Sequence, residues 1–276
     1  MSSWRPLCLL VTATGCAAGK PDASRAPAPT VVTITASDYA LSAPDTIPAG
    51  LTTLRMINTG REPHQAVVAG APGKSFAELQ GALLKEGAFP EWIQFPGGAG
   101  VVNSGDSSIV TVNLVSGNYL ILCYIPSLDG TPHIVKGMYR RLVVVRPATS
   151  TPAAAEPTAD VTVTLSDYAF ALSGPLTAGT RTIRVENNGP QLHELTLEKL
   201  EPGKTLADWK AWMAGGMRGT PPSQPVGGLT GPDKGKVGWL TVTLAPGNYL
   251  LNCYVPDAKD GKPHFLHGMV REVTVS

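Results

Sequence analysis

The stretch Gly117-Asn-Tyr-Leu-Ile-Leu-Cys-Tyr-Ile-Pro126 recurs as Gly247-Asn-Tyr-Leu-Leu-Asn-Cys-Tyr-Val-Pro256. Each copy runs on to a His-x3-Gly-Met ending, His133 to Met138 and His264 to Met269. Working outward, Val31-Val-Thr-Ile-Thr-Ala-Ser-Asp-Tyr-Ala40 matches Val161-Thr-Val-Thr-Leu-Ser-Asp-Tyr-Ala169, and Asn58-Thr-Gly-Arg-Glu-Pro-His64 matches Asn187-Asn-Gly-Pro-Gln-Leu-His193. The offset stays between 129 and 131 residues, which describes a duplicated domain and excludes a short-period solenoid. A chain of 276 residues is long enough for two domains that each bury a core.

Within each copy the apolar period is two. Val31, Thr33 and Thr35 alternate with Val32 and Ile34, and Thr53 and Arg55 with Leu54 and Met56; Val110, Val112 and Leu114 alternate in the same way, and Leu142 to Val145 is a short apolar run. Such β-branched segments, bounded by Gly, Pro, Asn and Asp, predict a sandwich or barrel. One segment per copy departs from this. Ser75 with Glu78 is a capping box opening a helix with Phe76, Leu79, Leu83 and Leu84 on one face, and Thr205 with Asp208 opens its counterpart with Trp209 and Met213. The helix is expected to cover one open end of the sandwich, followed by a Gly/Pro-rich loop at 96–100 and 225–228. The organisation read from this is a domain at 30–147, a Pro/Ala/Thr-rich linker at 148–159 and a second domain at 160–276.

Charged residues make up only 16% of the chain and the formal net charge is +1 without a basic run, so nucleic acid is not an expected partner. No stretch is long and apolar enough to span a membrane as a helix. Residues 1–16 read as an export signal: Arg5 precedes the apolar run Leu7 to Ala13, and Thr14-Gly15-Cys16 resembles the lipobox at which a bacterial lipoprotein is cleaved and its Cys lipidated. Residues 17–29 read as a flexible tether, so the expected location is periplasmic or cell-surface, with membrane contact only through lipid on Cys16. Of four cysteines, Cys8 and Cys16 belong to this leader. Cys123 and Cys253 are left as one thiol per domain in an oxidising compartment, where a stabilising disulfide would need a pair within each.

The metal-capable residues follow one order in each copy: His64, Cys123, His133, Met138, then His193, Cys253, His264, Met269. They use four of the five histidines. The fifth, His267, stands where the first copy has Lys136, and reads as a solvated loop residue. One thiolate, two imidazoles and a weak thioether form the ligand set of a blue-copper site: the soft sulfur suits Cu(I), and the imidazoles suit both oxidation states. The ligand order, the Asn-x-Gly-x3-His approach and the His-x3-Gly-Met ending resemble the cupredoxin family. The resemblance covers nearly all of each repeat. It implies an all-β fold of two tandem Greek-key sandwiches, each with one short inserted helix, and one type 1 copper per domain held by the residues named above. The spacing between Cys and second His, nine residues in one copy and ten in the other, is longer than in small cupredoxins and similar to that of copper nitrite reductases. Gln65 and Glu194 follow the first His where the family has Asn or Asp.

The copper enzymes of this family place a His immediately before the blue-site Cys. Here Leu122 and Asn252 stand there, and one spare His assembles no further copper centre, so catalysis on a substrate is not expected. The expected function is electron transfer, the partners being redox proteins. The alternatives are copper binding and delivery, with a copper donor or acceptor as partner, or a metal-free interaction module.

Overall fold

In the computed structural model, which describes Met1 and residues 26–85, 89–147 and 152–276, the alternating segments become strands. Most of the export signal, Cys16, most of the tether and residues 148–151 of the linker lie outside the described residues. The first repeat runs β1 (Thr30–Ser37), β2 (Ala40–Ser42), β3 (Thr46–Pro48), β4 (Gly50–Asn58), β5 (His64–Ala71), α1 (Phe76–Leu83), β6 (Pro96–Val102), β7 (Ser107–Leu114), β8 (Gly117–Leu122) and β9 (Tyr139–Val145). The second runs β10 (Val161–Ser166), β11 (Ala169–Leu172), β12 (Gly179–Asn187), β13 (Leu195–Leu200), α2 (Leu206–Ala214), β14 (Ser223–Pro232), β15 (Val237–Leu244), β16 (Gly247–Asn252), a 3-10 turn (His264–His267) and β17 (Val270–Val275).

In the first repeat one sheet has the order β2-β1-β4-β7 and faces a second of order β6-β5-β8-β9-β3. The inward residues of the first sheet are those the alternation names: Val32 and Ile34, Leu54 and Met56, Val110, Val112 and Leu114, all buried in one core. The second sheet is buried on both faces, which is why β8 reads as an unbroken apolar run. Tyr119 and Ile121 point into the core, while Leu120 and Leu122 join Val67, Ala69 and Ala71 on the outer face. That outer face is what α1 covers, with Leu79 and Leu83 against it, so the helix does not close an open end of the sandwich. The apolar outer surface of β5 and β8 needs burial more than the sandwich end does. The capping box forms: Ser75 N donates to Glu78 Oε2 at 2.9 Å, and Glu78 N to Ser75 Oγ at 3.2 Å. Leu84, expected on the apolar face, is the exposed C-cap residue. The α2 counterpart buries Trp209 against Leu200 and Leu250.

The segments expected as Gly/Pro-rich loops are strands. β6 and β14 pair antiparallel (Ala99 with Leu229, Gly98 with Thr230), and β7 pairs with β15 (Val110 with Leu240). The two sandwiches are thereby fused edge to edge into one eight-stranded and one nine-stranded sheet. Each repeat covers the other's open edge, removing two sites of unwanted pairing. Glycine makes this approach possible: a Cβ on Gly100 would lie 2.5 Å from the backbone N of Gly228. Asp233 strengthens the seam, its Oδ2 accepting from Phe95 N at 2.6 Å.

Candidate metal centres

The Asn-x-Gly-x3-His motif is a device for placing one imidazole. Asn58, buried at the end of β4, donates through Nδ2 to the carbonyls of Glu62 (2.9 Å) and Val102 (3.1 Å), and its Oδ1 accepts from Gly60 N (2.9 Å). The closed turn delivers His64 to the start of β5. Gly60 must lack a side chain, because a Cβ would sit 2.5 Å from Asp38 Oδ1 and 2.6 Å from His64 Nε2. Asn187 repeats the bonds to Gln191 O and Pro232 O, and a Cβ on Gly189 would meet His193 Nε2 at 2.5 Å.

The long Cys–His spacing is absorbed by a hairpin. Pro126 bridges to Pro132, His133 N donates to Ile125 O at 2.9 Å, and Ile134 N to Cys123 O at 2.8 Å, so the chain returns beside the cysteine it left. The second loop has one more residue, and it falls inside the equivalent Pro256–Pro263 bridge, where it disturbs nothing. Met138 is tied in by backbone bonds, its N donating to His133 O (2.9 Å) and its O accepting from Cys123 N (3.2 Å); Met269 is held alike. Ile134 and Phe265, which follow the second His of each site, pack into the clusters under α1 and α2.

His64, Cys123 and His133 converge, all fully buried. The two Nδ1 atoms are 3.1 Å apart, and Cys123 Sγ lies 3.4 Å from His133 Nδ1 and 4.0 Å from His64 Nδ1. For His193, Cys253 and His264 the same separations are 3.0, 3.4 and 4.0 Å. Met138 and Met269 are buried beside them in the core. Each sulfur also accepts a backbone N–H, from Gln65 at 3.5 Å and from Glu194 at 3.4 Å. The residue after the first His thus serves through its main chain, which is compatible with Gln or Glu there. Among the described residues both cysteines are free.

The sequence reading missed the carboxylates behind the imidazoles. His64 Nε2 lies 3.3 Å from Asp38 Oδ1, His133 Nε2 2.7 Å from Glu62 Oε2, and His193 Nε2 2.6 Å from Asp167 Oδ1. Tyr39 packs edge-on to His133 and donates to Glu62 Oε1 at 3.1 Å; Tyr168 packs on His264. For Asp38 and Asp167 the signal was the Ser-Asp-Tyr tripeptide, which recurs in both copies and carries polar residues at the end of an apolar strand; Glu62 has no counterpart in the second copy, where Gln191 stands. An imidazole whose Nε2–H is given to a carboxylate keeps its lone pair on Nδ1. In the first site two such lone pairs therefore face each other beside a thiol that supplies one proton. Burial holds His64, His193 and His264 below the usual imidazole range, His264 at about 4, and pushes the Cys123 thiol up to about 11 and Cys253 higher still. Neutral imidazoles around a thiol that loses its proton only to a strong Lewis acid are a metal-binding set.

The sandwich topology, the Asn-x-Gly-x3-His turn and the His–Cys–His convergence beside a buried Met now stand together, twice. Each repeat is cupredoxin-like. No protein-family model matches the chain, and no curated protein does. Among solved structures it is similar to the auracyanins of Roseiflexus castenholzii and Chloroflexus aurantiacus, the latter described as a "blue" copper protein. Identity is 21% to each, over 43% and 42% of this chain and 99% of each of theirs, with TM-scores of 0.32 and 0.31. A multicopper oxidase aligns with 92% of this chain and 94% of its own at 13% identity and TM-score 0.27.

The expectation that the chain is not an enzyme is corrected. The multicopper oxidase, a copper-containing nitrite reductase from Thermus scotoductus and a Botrytis aclada laccase, which align with 92%, 89% and 84% of this cupredoxin-like chain, are enzymes. That expectation rests on Leu122 and Asn252 before the two cysteines and on a single spare His, and a count of histidines overlooks carboxylates. Asp257, Asp260 and His267 form a third group with metal-ligand spacing, outside both buried sites.

Two expected results follow from this geometry. Glu62→Leu is expected to weaken metal retention at the first site by roughly 10–100-fold, since it removes the acceptor that orients His133. Competition against a chelator measures this; unchanged affinity would mean that Glu62 positions nothing. The metal-free chain is also expected to lose stability on acidification. An imidazole held below 6.5 in the fold is protonated first in the unfolded chain, so between pH 6.5 and about 4 the unfolded state gains protons that folded His264 refuses. His64 and His193 act with the same sign. Glu194, raised by burial to about 7, and Asp233, also raised by burial, oppose them as two groups against three. A Tm of the apoprotein that rises as pH falls through this window would contradict the reading.

Proposed function

We propose that the protein is a copper electron carrier with one type 1 copper in each repeat, held by His64, Cys123, His133 and Met138 in the first and by His193, Cys253, His264 and Met269 in the second. The observation that carries this is the convergence, in both repeats, of a thiol and two Nδ1 atoms within 4.0 Å. Copper bound there supplies a one-electron Cu(I)/Cu(II) couple, suited by soft sulfur and borderline imidazole together. The chain's own residues keep the cage the same in both states. Asp38, Glu62 and Asp167 lock the imidazole planes, and the N–H groups of Gln65 and Glu194 hold the sulfurs. A site that moves little on gaining or losing an electron exchanges electrons fast. Complete burial of His64, Cys123, His133, His193, Cys253 and His264 favours retention of the ion over copper delivery, which needs ligands within reach of an acceptor.

The setting that goes with this reading is an exported protein, tethered through lipid on Cys16 and exchanging electrons with redox partner proteins. The test is a visible spectrum and copper content of the chain from Ala17 onward after addition of Cu(II). The expected result is an intense thiolate-to-copper band with two coppers per chain. A colourless protein that releases its copper on desalting would sink the proposal.

A further inference from the structure

Over the site tyrosine the first repeat holds an ammonium and the second an imidazole. Lys136 Nζ lies 2.8 Å from Asp129 Oδ2 and 4.7 Å from the centroid of Tyr39. With the loops aligned on Pro126 and Pro256 and on Gly130 and Gly261, Lys136 becomes His267, Asp129 becomes Asp260, Tyr39 becomes Tyr168 and Ser127 becomes Asp257. His267 stacks on Tyr168 at 4.9 Å, with Nε2 3.1 Å from Asp260 Oδ1. The exchange replaces the ammonium over the tyrosine by an imidazole and adds a carboxylate, while the lysine paired with the Asp moves to position 262, where the first repeat has Thr131. Ligand atoms of Asp257, Asp260 and His267 all lie within 4.8 Å of one another. Two ligands of a tetrahedral Zn²⁺ sit about 3.3 Å apart, so the His267–Asp260 pair already has that separation.

A second observation points to the same place. His264 Nε2 is fully buried and has no hydrogen-bond partner, whereas its counterpart, His133 Nε2, sits 2.7 Å from Glu62. It faces Asp257 Oδ2 at 3.8 Å. Asp257 does not close that gap, because it is held by Tyr168 OH (2.5 Å) and Gln191 Nε2 (2.9 Å) and accepts from Lys259 N. Lys262 pairs with Asp260 from the solvent side, its Nζ 3.2 Å from Oδ2 on a side chain 64% exposed, and an exposed pair of this kind is weak enough for a divalent ion to displace.

We propose that Asp257, Asp260 and His267 bind a third metal ion, a divalent cation of the zinc class, on the surface of the second repeat. One imidazole and two carboxylates suit such an ion and leave a position open to water. The ion occupies the place that the Lys136 ammonium takes in the first repeat, and Asp257 stands between it and the buried His264. The two repeats then differ in electrostatics although their buried cages have nearly the same dimensions: beside the tyrosine of one lies a built-in cation, beside that of the other an exchangeable one.

The test is equilibrium dialysis of the full chain against micromolar Zn²⁺, after both buried centres have been loaded with copper, with zinc and copper counted by elemental analysis. The wild-type protein is expected to hold one zinc more than His267→Lys, which rebuilds the arrangement of the first repeat. Asp260→Asn is expected to lower the zinc affinity at least about tenfold. Equal zinc content in the wild type and both variants would overturn the proposal. The copper count reports separately on the electron-carrier reading. Should the buried centres refuse copper, the zinc difference between wild type and His267→Lys is still expected, because the surface cluster does not use their ligands.

Discussion

Cys123→Ser is expected to leave a protein with one copper in place of two and only the Cys253 share of the thiolate absorption; Cys253→Ser does the reverse, and the double variant is colourless. A serine hydroxyl fills nearly the same volume, so the core survives, but it is neither soft nor ionisable in the physiological range, and the charge-transfer band needs sulfur. Among the described residues Cys123 and Cys253 are free and fully buried, so no disulfide between them is lost. The measurement is absorbance and bound copper for the three variants at equal protein concentration. A single variant that loses both bands would show that the two sites depend on each other across the fused sheets. A double variant that keeps a band would remove the cysteines from the site.

The second large effect is on stability. Gly100→Val places a branched side chain where Gly228 N is 2.5 Å from the first added carbon and Gly228 Cα is 2.6 Å away. The obstacle is backbone on the partner strand, which has no rotamer to change, so β6 and β14 must separate. Overpacking of this kind costs about 3 kcal/mol or more, a fall in Tm of roughly 6–12 °C for a protein of this size. Gly81→Ala is the control: it lies on the exposed face of α1 with nothing within 4 Å of the added carbon, and is expected to be neutral or stabilising by up to about 1 kcal/mol. Calorimetry on both variants decides it. An unchanged Tm for Gly100→Val would mean that the seam between the repeats contributes little, and that each sandwich stands alone.

The sequence by itself determined the class of fold and the chemistry available to it. Period-two alternation at Val32, Ile34, Leu54 and Met56 marks which face of each strand leaves water, because successive side chains of a strand point to opposite faces. The capping boxes at Ser75 and Thr205 are equally local: a side chain and a backbone N–H three residues apart meet whatever the rest of the chain does. Duplication made the His, Cys, His, Met order visible, since four residue types rarely recur in order by accident. What joins His64 to Asp38 and His133 to Glu62 was not legible, because residues 26 and 71 apart in sequence are brought together only when β1, the turn before β5 and the Cys–His hairpin close on one another. The fusion of the two sandwiches was hidden for a different reason. A Gly-rich stretch reads as a loop when its conformational freedom is considered alone, yet at Gly100 and Gly228 the missing side chains let two edge strands touch. Whether a glycine is there for the freedom of its own backbone or for the closeness of another is settled by the partner strand, and only the tertiary structure supplies that partner.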